Sequence, residues 1–210
     1  MMKKFSIILS ILLFSQLING QEANMPYKEL WNQVLKLEKD QLTRSAYDLV
    51  QKIYQKAESD RNEVQRIKAL LFSSKYALIL EEDAQLSVIN KFKTEIEKAS
   101  FPTKNILESY LANLYWQYFK QNRYQFYNRT ATETKVDSVD FRTWDLNTLF
   151  KEIDLHFQNA LLDSNALQKT DPKEFKELIE TEEGSEVYRP TLYDLRPMTR
   201  LFFTNPMKTA

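Results

Sequence analysis

The chain has 210 residues with 29 basic and 29 acidic side chains, so it carries no net charge at neutral pH. That balance argues against nucleic acid or an anionic membrane surface as a partner. There is no Cys and there are only two Gly, which excludes disulfides, thiolate catalysis, Cys-based metal sites and the glycine-rich loops that cradle phosphates.

The N-terminus reads as a secretory signal peptide over residues 1–20. Lys3 and Lys4 form a basic n-region, Phe5 to Leu17 is an apolar run, and Gly20 is a small residue ahead of a cut before Gln21. The run is shorter than the ~20 residues needed to span a bilayer. Without a Cys after it, lipid anchoring by that route is excluded. The expectation is an exported protein, periplasmic or extracellular, that is not a lipoprotein and has no stable membrane insertion after signal cleavage. The mature chain keeps a small acidic excess.

Helical spacing then runs nearly throughout, and the near-absence of Gly argues against tight hairpins. Leu30, Trp31, Val34 and Leu35 make a short first stripe. Leu42, Ala46, Leu49, Val50, Ile53 and Ala57 make a second. Val64, Ile67, Leu71 and Leu78 mark a third helix, with Asp60 and Glu63 at capping-box spacing before it. Leu86, Ile89, Phe92 and Ile96 mark a fourth. Glu81, Glu82 and Asp83 precede it, where acids suit a helix start. Pro102 opens a fifth helix over residues 104–121, apolar on more than half its circumference and so expected at the centre of the domain. Its Leu111 and Leu114 are expected in the core.

Residues 128–143 are polar and read as a surface loop. A sixth helix is expected over residues 145–162. Asp171-Pro172 with Glu174 signals a short helix. Residues 181–190 read as loop, and Pro197 interrupts the last helical stretch. The expected domain plan is a signal peptide over 1–20, a helical-hairpin domain over 21–127, a polar loop over 128–143, and further helices over 144–210 that pack on the first domain. The fold class is all-α: an array of antiparallel helical hairpins, loosely tetratricopeptide-like, without a clean repeat of ~34 residues.

Chemistry is sparse. His156 is the single histidine and falls on the apolar side of the sixth helix, so a buried or boundary imidazole is expected rather than a ligand or base. Glu182-Glu183 and the Glu81–Asp83 cluster do not have calcium-loop spacing. No nucleophile motif appears. No catalytic, cofactor-binding or metal residue is assigned, and the expectation is that the chain is not an enzyme.

Seven aromatic residues crowd the thirteen positions from Tyr115 to Tyr127. Tyr115, Tyr118 and Phe119 share a helical face and are expected to be buried. Tyr124, Phe126 and Tyr127 follow Gln121-Asn122-Arg123, where the helix ends or bends. Tyr124 and Tyr127, with Arg123 and Arg129 placed to stack on the rings, form the expected partner surface. Asn128-Arg129-Thr130 fits a glycosylation sequon. Asp137-Ser138-Val139 is similar to the short sites that exported Bacteroidetes proteins glycosylate on the hydroxyl, with Ser138 as acceptor.

Four stretches, "YKELWNQVLKLEKDQLTRSAYDLVQKIYQKA", "EKASFPTKNILESYLANLYWQYFKQNRYQFYNRT", "FRTWDLNTLF" and "YRPTLYD", resemble in that order the N-terminal helical region of the large exported alpha-2-macroglobulin-like proteins of Bacteroidetes. The resemblance spans nearly all of the mature chain and implies a helical leader region ahead of β-sandwich domains. The family's protease trapping depends on a bait region and, in many members, a Cys–Gln thioester, so no functional residue carries over. "LRPMTRLFF" departs from the helical continuation that the resemblance implies, and a truncated copy or a fragment is expected. The implied role is protein–protein contact, with a protein partner or the downstream domains of a longer homologous chain. The alternative is a stand-alone periplasmic helical-repeat adaptor that binds a peptide or glycan.

Overall fold

The structure is a computed structural model and describes residues 25–129, 137–178, 188 and 190–194. The expected signal peptide, Glu182-Glu183 and Pro197 lie outside the described residues. The regular structure of the described residues is all helical, with no strand among them. The helices are α1 (Tyr27–Lys39), α2 (Thr43–Ser59), α3 (Glu63–Leu80), α4 (Ala84–Lys98), α5 (Thr103–Tyr127), α6 (Leu146–Ala160) and α7 (Ser164–Leu167), with short turns between successive helices from α1 to α5 and 3-10 turns at Phe141–Thr143 and Pro172–Phe175. Contacts divide the chain into two compact units, Met1–Tyr76 and Ala77–Ala210, and the boundary falls inside α3.

In the first unit α1 packs against α2. The stripes are buried as their spacing requires: Leu30, Trp31 and Val34 on α1, and Ala46, Leu49, Val50, Ile53 and Ala57 on α2. Leu35 and Leu42 are exposed. Leu42 lies in the turn before α2, where its N–H closes the end of α1 by bonding Leu37 O at 2.9 Å. The Gln41 N–H bonds Glu38 O in the same turn. Arg61 and Asn62 repeat this pattern on Glu58 and Ala57 at the end of α2. Both ends are Schellman motifs, yet the left-handed position that favours glycine is held by Gln41 (φ 60°) and Arg61 (φ 53°).

Asp60 does not cap α3. It closes α2, where its carboxylate accepts from the Tyr27 hydroxyl at 2.7 Å and from Lys56 at 2.9 Å. The cap belongs to Asn62, whose Oδ1 accepts from the Gln65 N–H at 3.1 Å. α1 and α3 run parallel. Trp31 Nε1 donates to Gln65 Oε1 at 2.6 Å, and further along both helices Glu38 accepts from Lys75 and from the Tyr76 hydroxyl at 3.0 Å.

In the second unit α5 packs against both α4 and α6. Its buried residues lie all round the helix and include Ile106, Leu107, Tyr110, Leu111, Leu114, Tyr115 and Phe119. This is the central helix that the sequence predicts, with Leu111 and Leu114 in the core. It is longer than expected. Instead of stopping near Gln121 it bends at Asn122 (φ −114°, ψ 16°) and continues to Tyr127. The Asn122 side chain donates to Tyr118 O at 2.9 Å, so it competes for a helical carbonyl where the ladder is interrupted.

The Asp145 carboxylate caps α6 by accepting from the Thr148 N–H at 2.7 Å. Asp171 caps the expected short helix, which is a 3-10 turn. α6 lies antiparallel to α5. Asn105 near the start of α5 donates to Leu162 O and Ala160 O at the end of α6, satisfying carbonyls that a helix terminus leaves free. Residues 128–143 are not wholly a surface loop. Phe141 is fully buried, as is Trp144 just beyond, because both rings pack on Tyr115.

Candidate functional site

Helical spacing and the bend at Asn122 sort the aromatic stretch into an inside and an outside. Tyr115 and Phe126 are buried, and Tyr118 is half-buried edge-on to Phe141 at 4.8 Å. Phe119 is 8 % exposed and forms the floor of a surface cluster. Trp116 lies 5.4 Å from it, Phe150 of α6 4.9 Å and Tyr127 6.4 Å, centroid to centroid. Trp116 and Phe150 are also neighbours at 6.1 Å. The upper rings meet solvent: Trp116 is 39 % exposed, Phe150 38 % and Tyr127 64 %. The result is an aromatic shelf carried by both α5 and α6. Exposed rings of this kind supply large contact area at low entropic cost.

The four residues expected to form a partner surface divide. Tyr127 belongs to the shelf. Tyr124 is 70 % exposed, and Arg123 lies over its ring at 4.9 Å while donating to its hydroxyl at 3.0 Å. Arg129 is half-buried instead, its guanidinium over the Phe126 ring at 4.7 Å and donating to Trp144 O at 2.7 Å. It serves the core. Trp116 and Phe150 were missing from the expected surface. Trp116 sits off the Tyr115–Phe119 stripe, which is a signal for exposure, but nothing in the sequence pairs it with Phe150.

Ser138 is exposed in a turn that Asp137 organises, with the Asp137 carboxylate accepting from the N–H of Val139 at 2.7 Å and of Asp140 at 3.2 Å. Asp83, in the acidic cluster before α4, accepts from Arg142 at 3.2 Å. A shallow depression of about 380 Å3 is lined by Phe101 and by Asp163, Ser164, Asn165 and Ala166.

Charge is buried beneath the shelf's helix pair. His156 is buried as expected, but it has partners that the sequence does not reveal. Its Nδ1 lies 2.5 Å from Glu108 Oε2, and its Nε2 lies 3.7 Å from Glu152 Oε1. Asn159 donates to the other Glu108 oxygen at 3.3 Å. The Tyr115 ring stacks on the imidazole at 5.8 Å. Burial lowers the imidazole's pKa, but the hydrogen bonds and charges of Glu108 and Glu152 outweigh it and hold the pKa above the usual histidine value. The Tyr115 hydroxyl is pushed well up, by burial first and by the Glu152 charge second. A histidine held by a carboxylate has the form of a base and its orienting group. Here both side chains are nearly enclosed, 10 % exposed for His156 and 5 % for Glu108. Among the described residues no group of three or more metal-ligating side chains is arranged to hold an ion, and no helix is long and apolar enough to cross a membrane.

The fold and these two features define an all-α protein with an aromatic surface and a buried ionic cluster. No protein-family model, curated protein or solved structure matches the chain.

Proposed function

We propose that the chain is a non-enzymatic exported helical module that acts by protein–protein contact through the Trp116–Phe119–Tyr127–Phe150 shelf. The observation that carries the reading is the shelf itself: three partly exposed rings touch a common floor. Its partner is the β-sandwich region of a longer alpha-2-macroglobulin-like chain, in keeping with the four ordered stretches of sequence resemblance. Within the first unit the helices belong to a loosely tetratricopeptide-like array of antiparallel hairpins. The parallel run of α1 and α3 supports this, because in such a stack the first helices of successive pairs are neighbours. The separation of 34 residues between Trp31 and Gln65 equals one such repeat. Residues 1–20 direct export, and the mature chain works outside the cytoplasm.

Isothermal titration of residues 21–210 with a purified β-sandwich segment of a homologous long chain tests the reading. Binding is expected, with a loss of affinity of at least about tenfold for Trp116→Ala with Phe150→Ala, the effect of losing ~1.4 kcal/mol or more at an anchor. Equal binding by the double variant, or no binding by the unaltered chain, overturns it.

A further inference from the structure

The stretch of α5 that carries the shelf is cationic as well as aromatic. No Asp or Glu occurs between Glu108 and Glu133, whereas Lys120 and Arg123 fall between Trp116 and Tyr127. Positions 116, 120, 123 and 127 follow one another at helical steps of four, three and four, which places them on one face. The bend at Asn122 does not break that face, because Trp116 before it and Tyr127 after it both touch Phe119. Lys120 and Arg123 are exposed. Lys120 has no partner among the described residues. Arg123 is steadied by Tyr124: its guanidinium lies over that ring at 4.9 Å and donates to the hydroxyl at 3.0 Å. That holds the planar fork in place and leaves other donors for a carboxylate. On the α6 side of the shelf Lys151 and Asp154 are both exposed and offset each other, and Asp154 accepts from Gln158 at 2.6 Å. Lys120 and Arg123 therefore remain as a local positive excess beside the rings, in a chain without net charge.

We propose that the shelf is a mixed aromatic and cationic docking site whose occupant is an acidic protein segment. An apolar or aromatic side chain of that segment sits over Phe119 among Trp116, Tyr127 and Phe150, and closely spaced carboxylates beside it pair with Lys120 and Arg123. This rests on the contact role proposed above for the shelf and adds the chemistry that the shelf recognises. Charge complementarity selects the partner's face. A carboxylate can bond the Arg123 fork in two places, whereas a basic segment would set like charges together at a cost. A polyanion fits less well, because its binding rests on a run of phosphate contacts along a basic groove, and the shelf offers two cations only.

The test mixes residues 21–210 with the same β-sandwich segment, read by titration calorimetry and by stopped-flow association. Lys120→Glu with Arg123→Glu should weaken binding at least about tenfold, mainly through slower association, and the unaltered chain should bind more weakly in about 0.5 M salt than in about 0.05 M. Lys104→Glu with Lys169→Glu makes the same change in net charge at two exposed sites, near the start of α5 and beyond α7, and should bind as the unaltered chain does. If the Lys120, Arg123 variant does not fold, Lys120→Gln with Arg123→Gln and the salt dependence decide. Lost binding in the Trp116→Ala, Phe150→Ala variant with none lost in the Lys120, Arg123 variant would overturn the acidic partner and leave the contact reading standing. No binding by the unaltered chain would overturn both. Equal weakening in the Lys104, Lys169 variant, or tighter binding of heparin or single-stranded DNA than of the segment, would also overturn the proposal.

Discussion

Phe119 and Tyr124 sit on one helix and are expected to respond to truncation in opposite ways. Phe119 is nearly enclosed and touches four other rings, so Phe119→Ala should lower stability by ~3–5 kcal/mol in a urea melt. Tyr124→Ala, on an exposed ring, should stay within about 0.5 kcal/mol. Arg61 offers a gain instead. Its φ of 53° places a side-chain-bearing residue where the left-handed backbone costs ~1–2 kcal/mol. Arg61→Gly should therefore raise stability by about 0.5–1 kcal/mol once glycine's greater freedom in the unfolded chain is allowed for; a loss would mean that the Arg61 side chain contributes contacts outweighing that cost. The inside–outside division of the aromatic stretch was legible from spacing for Tyr115, Phe119, Tyr124 and Tyr127, whereas Tyr118, expected to be buried, is half-buried. The partners of His156 were not, because Glu108 lies 48 residues away and nothing local couples the two positions.

At the scale of elements, apolar stripes marked all six long helices, because burial of one face is what makes a short helix stable. The ends were read less well. Asp60 fits a capping box as closely as Asn62 fits a cap, and only the three-residue turn built on Arg61 decides between them. The bend at Asn122 was foreseen as an end or a bend. The chain continues because Phe126 has a buried site against Tyr118 and Phe119, so tertiary packing outweighs weak local propensity. Phe141 was hidden by its polar neighbours. The cap on α6 is a direct test of this level: Asp145→Ala removes the Thr148 N–H partner and should cost about 1 kcal/mol or more, read as an earlier urea midpoint. An unchanged midpoint would mean that the cap is dispensable.

At the scale of the whole molecule, helix should dominate the far-UV circular dichroism spectrum of residues 21–210, and a strand-dominated spectrum would contradict the fold. Composition foretold that class, since a chain with two glycines has few means of making tight strand turns. It could not foretell the shelf, which needs α5 and α6 side by side. That shelf is the basis of the proposed contact, and hydrogen–deuterium exchange of the mature chain with and without the β-sandwich segment tests it most directly. The account predicts new protection confined to the α5 stretch around Trp116 to Tyr127 and the α6 turn around Phe150, absent in the Trp116→Ala, Phe150→Ala double variant. Protection centred on α1 and α2, or none in the shelf at saturating partner, would contradict it.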